Sequence, residues 1–332
     1  MRTVAAALAR VATGASFRST AALVRDQAGR TRLAPQRQRG RKFTDPNRHG
    51  QLISDWVAVF APVIWQAYAP TVWPPRLILD ESGFRASAAQ PAARGTPLFS
   101  VLGAVGYPYP GARPVVWRLE AVPAANTAAW QGFLTALAGR AEALVTDGGS
   151  AIARAVTAAW PGEPAPRLRR CEWHLRRGLA QSLPEPIRDD ATHPVTKAMT
   201  GCLTSTTNWA RFENTLHQFT QEASLPGTWS WVERNRELIL TQAVDRDGFG
   251  PHSIGPLEEV FRHVDNVLDD RVYTMTNKAR TDRLLMLIAA DRNGWVDERA
   301  WAEIIRDHLH GRDGLADRQR QVNDPVTTPS LR

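Results

Sequence analysis

Two aspartates stand at the ends of short apolar runs. Leu77-Ile78-Leu79 leads into Asp80, and Ala143-Leu144-Val145-Thr146 leads into Asp147. Apolar runs of this length, bounded by turn residues, are strand signals. In α/β sheets functional groups gather where strands end. Two carboxylates held close repel each other unless a cation sits between them. Mg2+ suits such a place, because it takes oxygen ligands and keeps waters for substrate phosphates. A pair of such ions about 3.5–4 Å apart can activate a water or a 3′-hydroxyl and stabilise the leaving oxygen in phosphodiester chemistry. A site of that kind needs a third carboxylate, delivered from a later element.

The elements that must position these acids follow from periodicity. Residues 76–80, 98–106 and 114–119 read as three strands in meander order, the last two separated by the turn cluster Tyr107-Pro108-Tyr109-Pro110-Gly111. Asn126 caps a helix carrying Trp130, Phe133, Leu134 and Leu137, closed by Gly139. The strand ending at Asp147 comes next, then a helix from Ser150 with Ile152, Val156 and Trp160 on one face, stopped by Pro161-Gly162. Residues 168–173 read as a fifth strand. Residues 175–250 are helical and polar, and helices follow at 256–270, 281–290 and 295–309. The tail, residues 311–332, is polar and aperiodic and is expected to be disordered.

The amino-terminal part has another character. Val4, Leu8 and Val11 mark a short helix, residues 13–16 a turn containing Gly14, and Ala21, Leu23 and Val24 a second helix ending at Gly29. Two short helices joined by such a turn, with arginines on the second, fit a helix-turn-helix over residues 1–32; a plain helical hairpin is the alternative. Residues 31–49 read as a basic linker able to follow a phosphate backbone, or as a solvated charge run. Leu52, Trp56, Phe60, Ile64 and Tyr68 then mark an amphipathic helix, kinked or broken by Pro62, so that linker and helix fill residues 33–75.

Charge separates these parts. The chain carries 41 Lys+Arg against 33 Asp+Glu, a net charge of +8. Residues 1–50 hold ten arginines and Lys42 against Asp26 and Asp45, leaving the other 282 residues close to neutral. A basic arm on a neutral body points to a polyanion partner, nucleic acid before membrane. An Arg- and Ser-rich start without acids is also the pattern of an organelle transit peptide. No apolar stretch approaches the ~18 residues of a membrane helix, so no membrane partner is expected. Two cysteines, Cys171 and Cys202, cannot staple a secreted scaffold, and a reducing cytoplasm is the expected setting.

The order Leu79-Asp80, Val145-Thr146-Asp147-Gly148-Gly149-Ser150, Cys171-Glu172-Trp173-His174 and Ser253-Ile254-Gly255-Pro256-Leu257-Glu258 resembles the DDE transposases of bacterial insertion sequences. The likeness is to their Mutator-like branch, which carries a Cys-x-x-His motif after the second Asp and a helical insertion before the catalytic Glu. It covers roughly residues 76–290. It implies an α/β fold, with a ribonuclease-H-like (RNase H-like) catalytic core whose first and fourth strands lie side by side, an all-α insertion, and an N-terminal helix-turn-helix. The core would occupy residues 76–174 and 251–310, with the insertion at 175–250. By that resemblance Asp80, Asp147 and Glu258 are the catalytic, metal-binding triad for two Mg2+ (or Mn2+) ions. Cys171 and His174 would lie near the active site, shaping it or touching the phosphate backbone. One departure is Gly255, where the branch commonly carries Asn three positions before its Glu.

Alternatives stay open at several positions. Glu259, Asp265, Asp269 and Asp270 compete with Glu258, and Glu258 and Glu259 could simply favour a helix N-terminus. Cys171 and His174 could be half of a zinc site, although Cys202, His193 and His217 form no matching second pair. Cys171 could equally be core and His174 surface. Among Trp209, Trp229 and Trp231, at least two should be core, with Trp231 the candidate to stack an unpaired base beside Arg211, Arg234 and Arg236. DNA contacts are expected from Arg18, Arg25, Arg30, Arg37, Arg39, Arg41 and Lys42 as well. The expected activity is transposition: binding of double-stranded terminal inverted repeats, metal-dependent cleavage, and strand transfer into target DNA by a nucleoid-associated homo-oligomer. A DNA-binding regulator or decayed transposase, and an RNase H-like nuclease that cuts without joining, are the alternatives.

Overall fold

Strand β1 (Arg76–Arg85) is the axis of the molecule. The computed structural model describes residues 1–29, 46–85, 95–162, 164–220, 225–246, 251–269 and 277–311. Within them, β2 (Pro97–Tyr107) and β3 (Val115–Val122) continue β1 as an antiparallel meander, while β4 (Ala143–Thr146) and β5 (Arg167–Arg170) run parallel to it on the other side. The sheet order is β3-β2-β1-β4-β5, and the fold is mixed α/β.

Side chains alternate across the sheet, and each face meets different helices. Leu77, Leu79, Leu102, Ala104 and Leu144 bury against α4 (Thr127–Thr135) and α5 (Ser150–Ala159), where Trp130, Phe133, Ile152 and Val156 pack. Asn126 caps α4 as expected, accepting from the Ala129 N–H at 2.9 Å. Ile78, Val101, Val105 and Val145 face the opposite way. They share one apolar core with α3 (Pro46–Tyr68), α11 (Gly255–Asp269), α12 (Lys278–Arg292) and α13 (Glu298–Leu309), of which α11 and α12 lie directly on the sheet.

The two sheet edges are closed by helix side chains, which removes the hazard of unpaired strand groups. On β3, Asn293 accepts from the Val116 N–H at 2.7 Å and donates to its carbonyl at 2.9 Å. Asp282 accepts from the Ala121 N–H at 2.8 Å. On β5, Gln242 of α10 (Pro226–Val244) accepts from the Arg170 N–H and donates to the Arg170 carbonyl, both at 3.0 Å.

Residues 172–244 form α6 (Glu172–Ser182), α7 (Glu185–Arg188), α8 (Pro194–Met199), a 3-10 turn (Cys202–Thr204), α9 (Thr206–Thr220) and α10. They enclose a core of their own around Leu179, Trp209, Phe212 and Val232.

Several sequence-based expectations shift. Asp80 does not end β1: residues 81–85 stay paired with β2, because the antiparallel meander carries the strand past the point where β4 stops. The 168–173 strand ends at Arg170, and α6 begins at Glu172, so the helical segment starts ahead of residue 175. Pro62 sits inside α3, which runs unbroken from Pro46, inside the stretch expected to be linker. Helices α1 (Arg2–Ala12) and α2 (Phe17–Gly29) lie where the helix-turn-helix was expected. Ala5, Leu8, Val11 and Ala12 of α1 are buried in the same apolar core as one face of the sheet, so this pair is packed into the main body. Residues 30–45 and 312–332 lie outside the described residues, and with them most of the basic linker and the expected tail.

Candidate active site

The register of β1 and β4 places the two aspartates side by side. Ile78 pairs with Val145, so Asp80 and Asp147 each follow two positions later. Period-2 alternation then puts both on the face of Ile78 and Val145, the face that α11 covers. Asp147 lies just past the end of β4, and its Oδ1 accepts from the Gly149 N–H at 2.7 Å, which fixes the carboxylate. Gly148 takes φ +98°, and the Arg170 guanidinium fills the space where its Cβ would be. Glycine there serves both the backbone and the close approach of Arg170.

A glycine also lets the third acid in. Gly103 of β2 pairs with Asp80, and a Cβ on it would lie 2.8 Å from both Leu257 and Phe261 of α11. The helix therefore packs tightly over the sheet beside Asp80, with Glu258 in its first turn. Neighbouring helix positions differ by about 100° of rotation, and the two adjacent glutamates part accordingly. The charge of Glu258 acts on Asp80. Glu259 turns to Arg292 of α12, with an ion pair of 2.5 Å.

Asp80 is pushed up to about 7, first by burial, then by the charges of Asp147, Glu81 and Glu258, with the Glu81 N–H it accepts working the other way. Glu81, on the opposite face of β1, is raised as well, chiefly by desolvation and also by Asp147. The Trp130 indole N–H donating to it at 3.1 Å opposes that rise. The result is a set of carboxylates that repel one another across the β1–β4 junction. No three Asp, Glu, His or Cys side chains among the described residues close into a metal cage.

The Cys-x-x-His segment links the two halves of this arrangement. Cys171 is fully buried at the turn between β5 and α6. Its N–H donates to the Thr146 carbonyl at 2.7 Å, one residue before Asp147. Its Sγ accepts from the Ile254 N–H at 3.5 Å, one residue before α11. The Glu172 N–H donates to the His252 carbonyl at 2.9 Å. Cys171 is thus a brace between the strand that carries Asp147 and the helix that carries Glu258. His174 is half-buried, edge-on to Trp173 at 4.8 Å, and its Nδ1 has no hydrogen-bond partner among the described residues.

The expected DNA contacts fare unevenly. Arg18 is exposed on α2. The side chain of Arg25, and Arg30, Arg37, Arg39, Arg41 and Lys42, lie outside the described residues. Trp231 is half-buried against α6, its indole nitrogen 2.9 Å from where a Cβ on Gly178 would sit. That contact packs part of the ring against α6. Trp209 is fully buried and Trp229 packs on His217 at 4.3 Å. Three residues escaped the sequence analysis: Glu81 and Arg170, close to the aspartates, and Trp173 at the start of α6. The available signal was adjacency, since each neighbours a motif residue. Compared with known protein families and with curated proteins, the chain matches none.

Proposed function

We propose that the chain is a DDE transposase of the Mutator-like branch, cleaving DNA at the ends of its element and joining the freed 3′ ends to a target. The observation that carries this reading is the convergence of Asp80, Asp147 and Glu258, from three separated segments, on one face of the sheet. The strand order, with an antiparallel β2 and parallel β4 and β5, agrees with the RNase H-like core that the resemblance implies. The helices between β5 and α11 lie where that branch carries its insertion, and Cys171 and His174 stand at their start.

The donor set fits a hard divalent cation. It is all carboxylate oxygen, and its uncompensated repulsion is what such an ion relieves. Asp80, Asp147 and Glu258 would hold two Mg2+ (or Mn2+) ions. Bound ions supply Lewis acidity that activates a water or 3′-hydroxyl and stabilises the leaving oxygen. The protein's own groups do the positioning. The Gly149 N–H orients Asp147, Arg170 packs its guanidinium against Gly148 next to it, and Cys171 holds the Glu258 helix against β4. Arg18 on α2 and the basic segment beyond it would bind the double-stranded inverted repeats, with a homo-oligomer pairing two ends in the cytoplasm, on the nucleoid. No helix among the described residues is long and apolar enough to cross a membrane.

Incubating the protein with duplex DNA carrying its element's inverted repeats and Mg2+ or Mn2+ tests the reading. The expected result is end nicking followed by joining, with Asp80→Ala and Asp147→Ala binding DNA normally and losing cleavage. Retained cleavage in either variant overturns the triad. Cleavage without joining points to a nuclease, and binding without cleavage by the unmodified protein to a regulator or a decayed enzyme.

A further inference from the structure

A cavity of about 360 Å3 opens at the start of α6, with Trp173, Arg176, Met199, Leu203 and His252 in its wall. That volume falls in the usual range for small-molecule sites. Two of its lining residues, His252 and Ser253, immediately precede α11, the helix with Glu258 in its first turn. Trp173 is 43 % exposed, an unusual state for so large an apolar surface in a polar helix. The ring is held in place, with His174 edge-on at 4.8 Å and the Arg177 guanidinium 5.2 Å from its centre. Arg176, exposed one residue away, gives the mouth a second positive charge. The acidic residue of the wall, Glu172, is neutralised by Arg246 at 3.0 Å and faces His252 at 3.7 Å.

An ordered, partly exposed indole, apolar neighbours and two arginines are the parts from which proteins build a platform for an unpaired base and its phosphate. We propose that this cavity receives one unpaired nucleobase of a DNA strand whose backbone leads to the acid cluster, stacked on Trp173 and with its phosphates met by Arg176 and Arg177. The Arg–indole pairing favours a nucleic-acid strand over a purely apolar ligand, because the site joins a π face to positive charge and leaves no unpaired acid in its wall. The proposal deepens the transposase reading, on which its choice of DNA rests. A strand opened next to the scissile bond would be held by its displaced base.

Fluorescence anisotropy with a labelled oligothymidylate of roughly fifteen nucleotides, in the absence of divalent metal, reads the site directly. Trp173→Ala is expected to weaken binding about tenfold, Trp173→Phe to retain most of it, and both to bind a blunt duplex as the unmodified protein does. The same oligonucleotide with abasic positions should bind weakly and be indifferent to Trp173→Ala. Because Trp173 is partly exposed, the variants should fold, and matching melting temperatures check that they do. If Trp173→Ala misfolds, crosslinking of a 5-iododeoxyuridine oligonucleotide to the unmodified protein serves instead, with attachment within α6 expected. Equal affinity of all three proteins for the single strand, or crosslinks only elsewhere, overturns the proposal. Trp173-dependent single-strand binding without metal-dependent cleavage would sink the transposase reading and leave this site standing. Cleavage with no effect of Trp173 on single-strand binding would do the reverse.

Discussion

Two clusters of charge lie on either side of Cys171, and they are built on opposite principles. At the seam between β5 and α10, most charges have an answer. Arg167 pairs with Asp245 at 2.5 Å, Glu172 with Arg246 at 3.0 Å, and the buried Arg169 donates to the carbonyls of Gln242 and Asp245. At the β1–β4 junction, Asp80 faces only like charges and is forced toward neutrality. Burial without compensation is costly. A fold that answers the first set and leaves the second frustrated treats them differently: the seam holds the helical unit to the sheet, and the acids are left repelling one another. Strain of this kind concentrates where function resides, at a cost in stability.

That contrast can be broken at several points. The largest effect is expected from Glu258→Gln, which should cut end cleavage more than about a hundredfold, because it removes one of the three carboxylates proposed to hold the metal ions. Glu259→Gln, a single helix position away, should leave cleavage nearly unchanged; equal loss in both would put the two glutamates in the same environment.

Asp80→Asn should stabilise the fold. The carboxyl titrates near 7 in the folded chain against 3.8 when free, so its penalty begins above 3.8 and is complete once the pH passes about 7. Thermal melts should therefore show Asp80→Asn more stable by about 4 kcal/mol at pH 8 and nearly equal to the unmodified protein at pH 4. Millimolar Mg2+ should raise the melting temperature of the unmodified protein at the higher pH and do little for the variant. A variant less stable at the higher pH would mean that the acids are not frustrated.

At the seam the sign reverses. Arg169→Met removes the donors from two carbonyls in a buried place and should cost about 2 kcal/mol in denaturant unfolding. No loss would show the seam to be ornamental. Gly103→Ala is expected to cost about 1–3 kcal/mol, because its Cβ meets Leu257 and Phe261. It should also slow cleavage by shifting α11, and cleavage at full rate with lowered stability would uncouple helix placement from the site. The smallest change is that of Glu259→Gln in unfolding, below about 1 kcal/mol, as its pair with Arg292 is exposed.

The chemistry-bearing residues were legible along the chain where local rules act. Asp80 and Asp147 stand out because each follows an apolar run, although only Asp147 lies at a strand end, β1 continuing past Asp80 to Arg85. The Asn126 cap and the Trp130–Phe133–Leu134 stripe are equally local. The sequence of acids and of Cys171-x-x-His174 carried the resemblance, and with it the placing of helices between the second acid and the third.

What the chain alone left undecided depends on neighbours distant in sequence. Glu258 and Glu259 are indistinguishable by type, and only the packing of α11 over Gly103, with Arg292 waiting on the far side, turns one to Asp80 and the other away. Trp231 and Trp173 carry the same indole, but Gly178 gives the first a place to pack and the second remains partly in solvent. The first helix looks like part of a separate arm by charge, yet its alanines and leucine join the main core. Residue type and spacing determined which chemistry this chain can attempt. Which side chains meet was decided by tertiary packing, because a helix offers every face and only its neighbours choose the one that is buried.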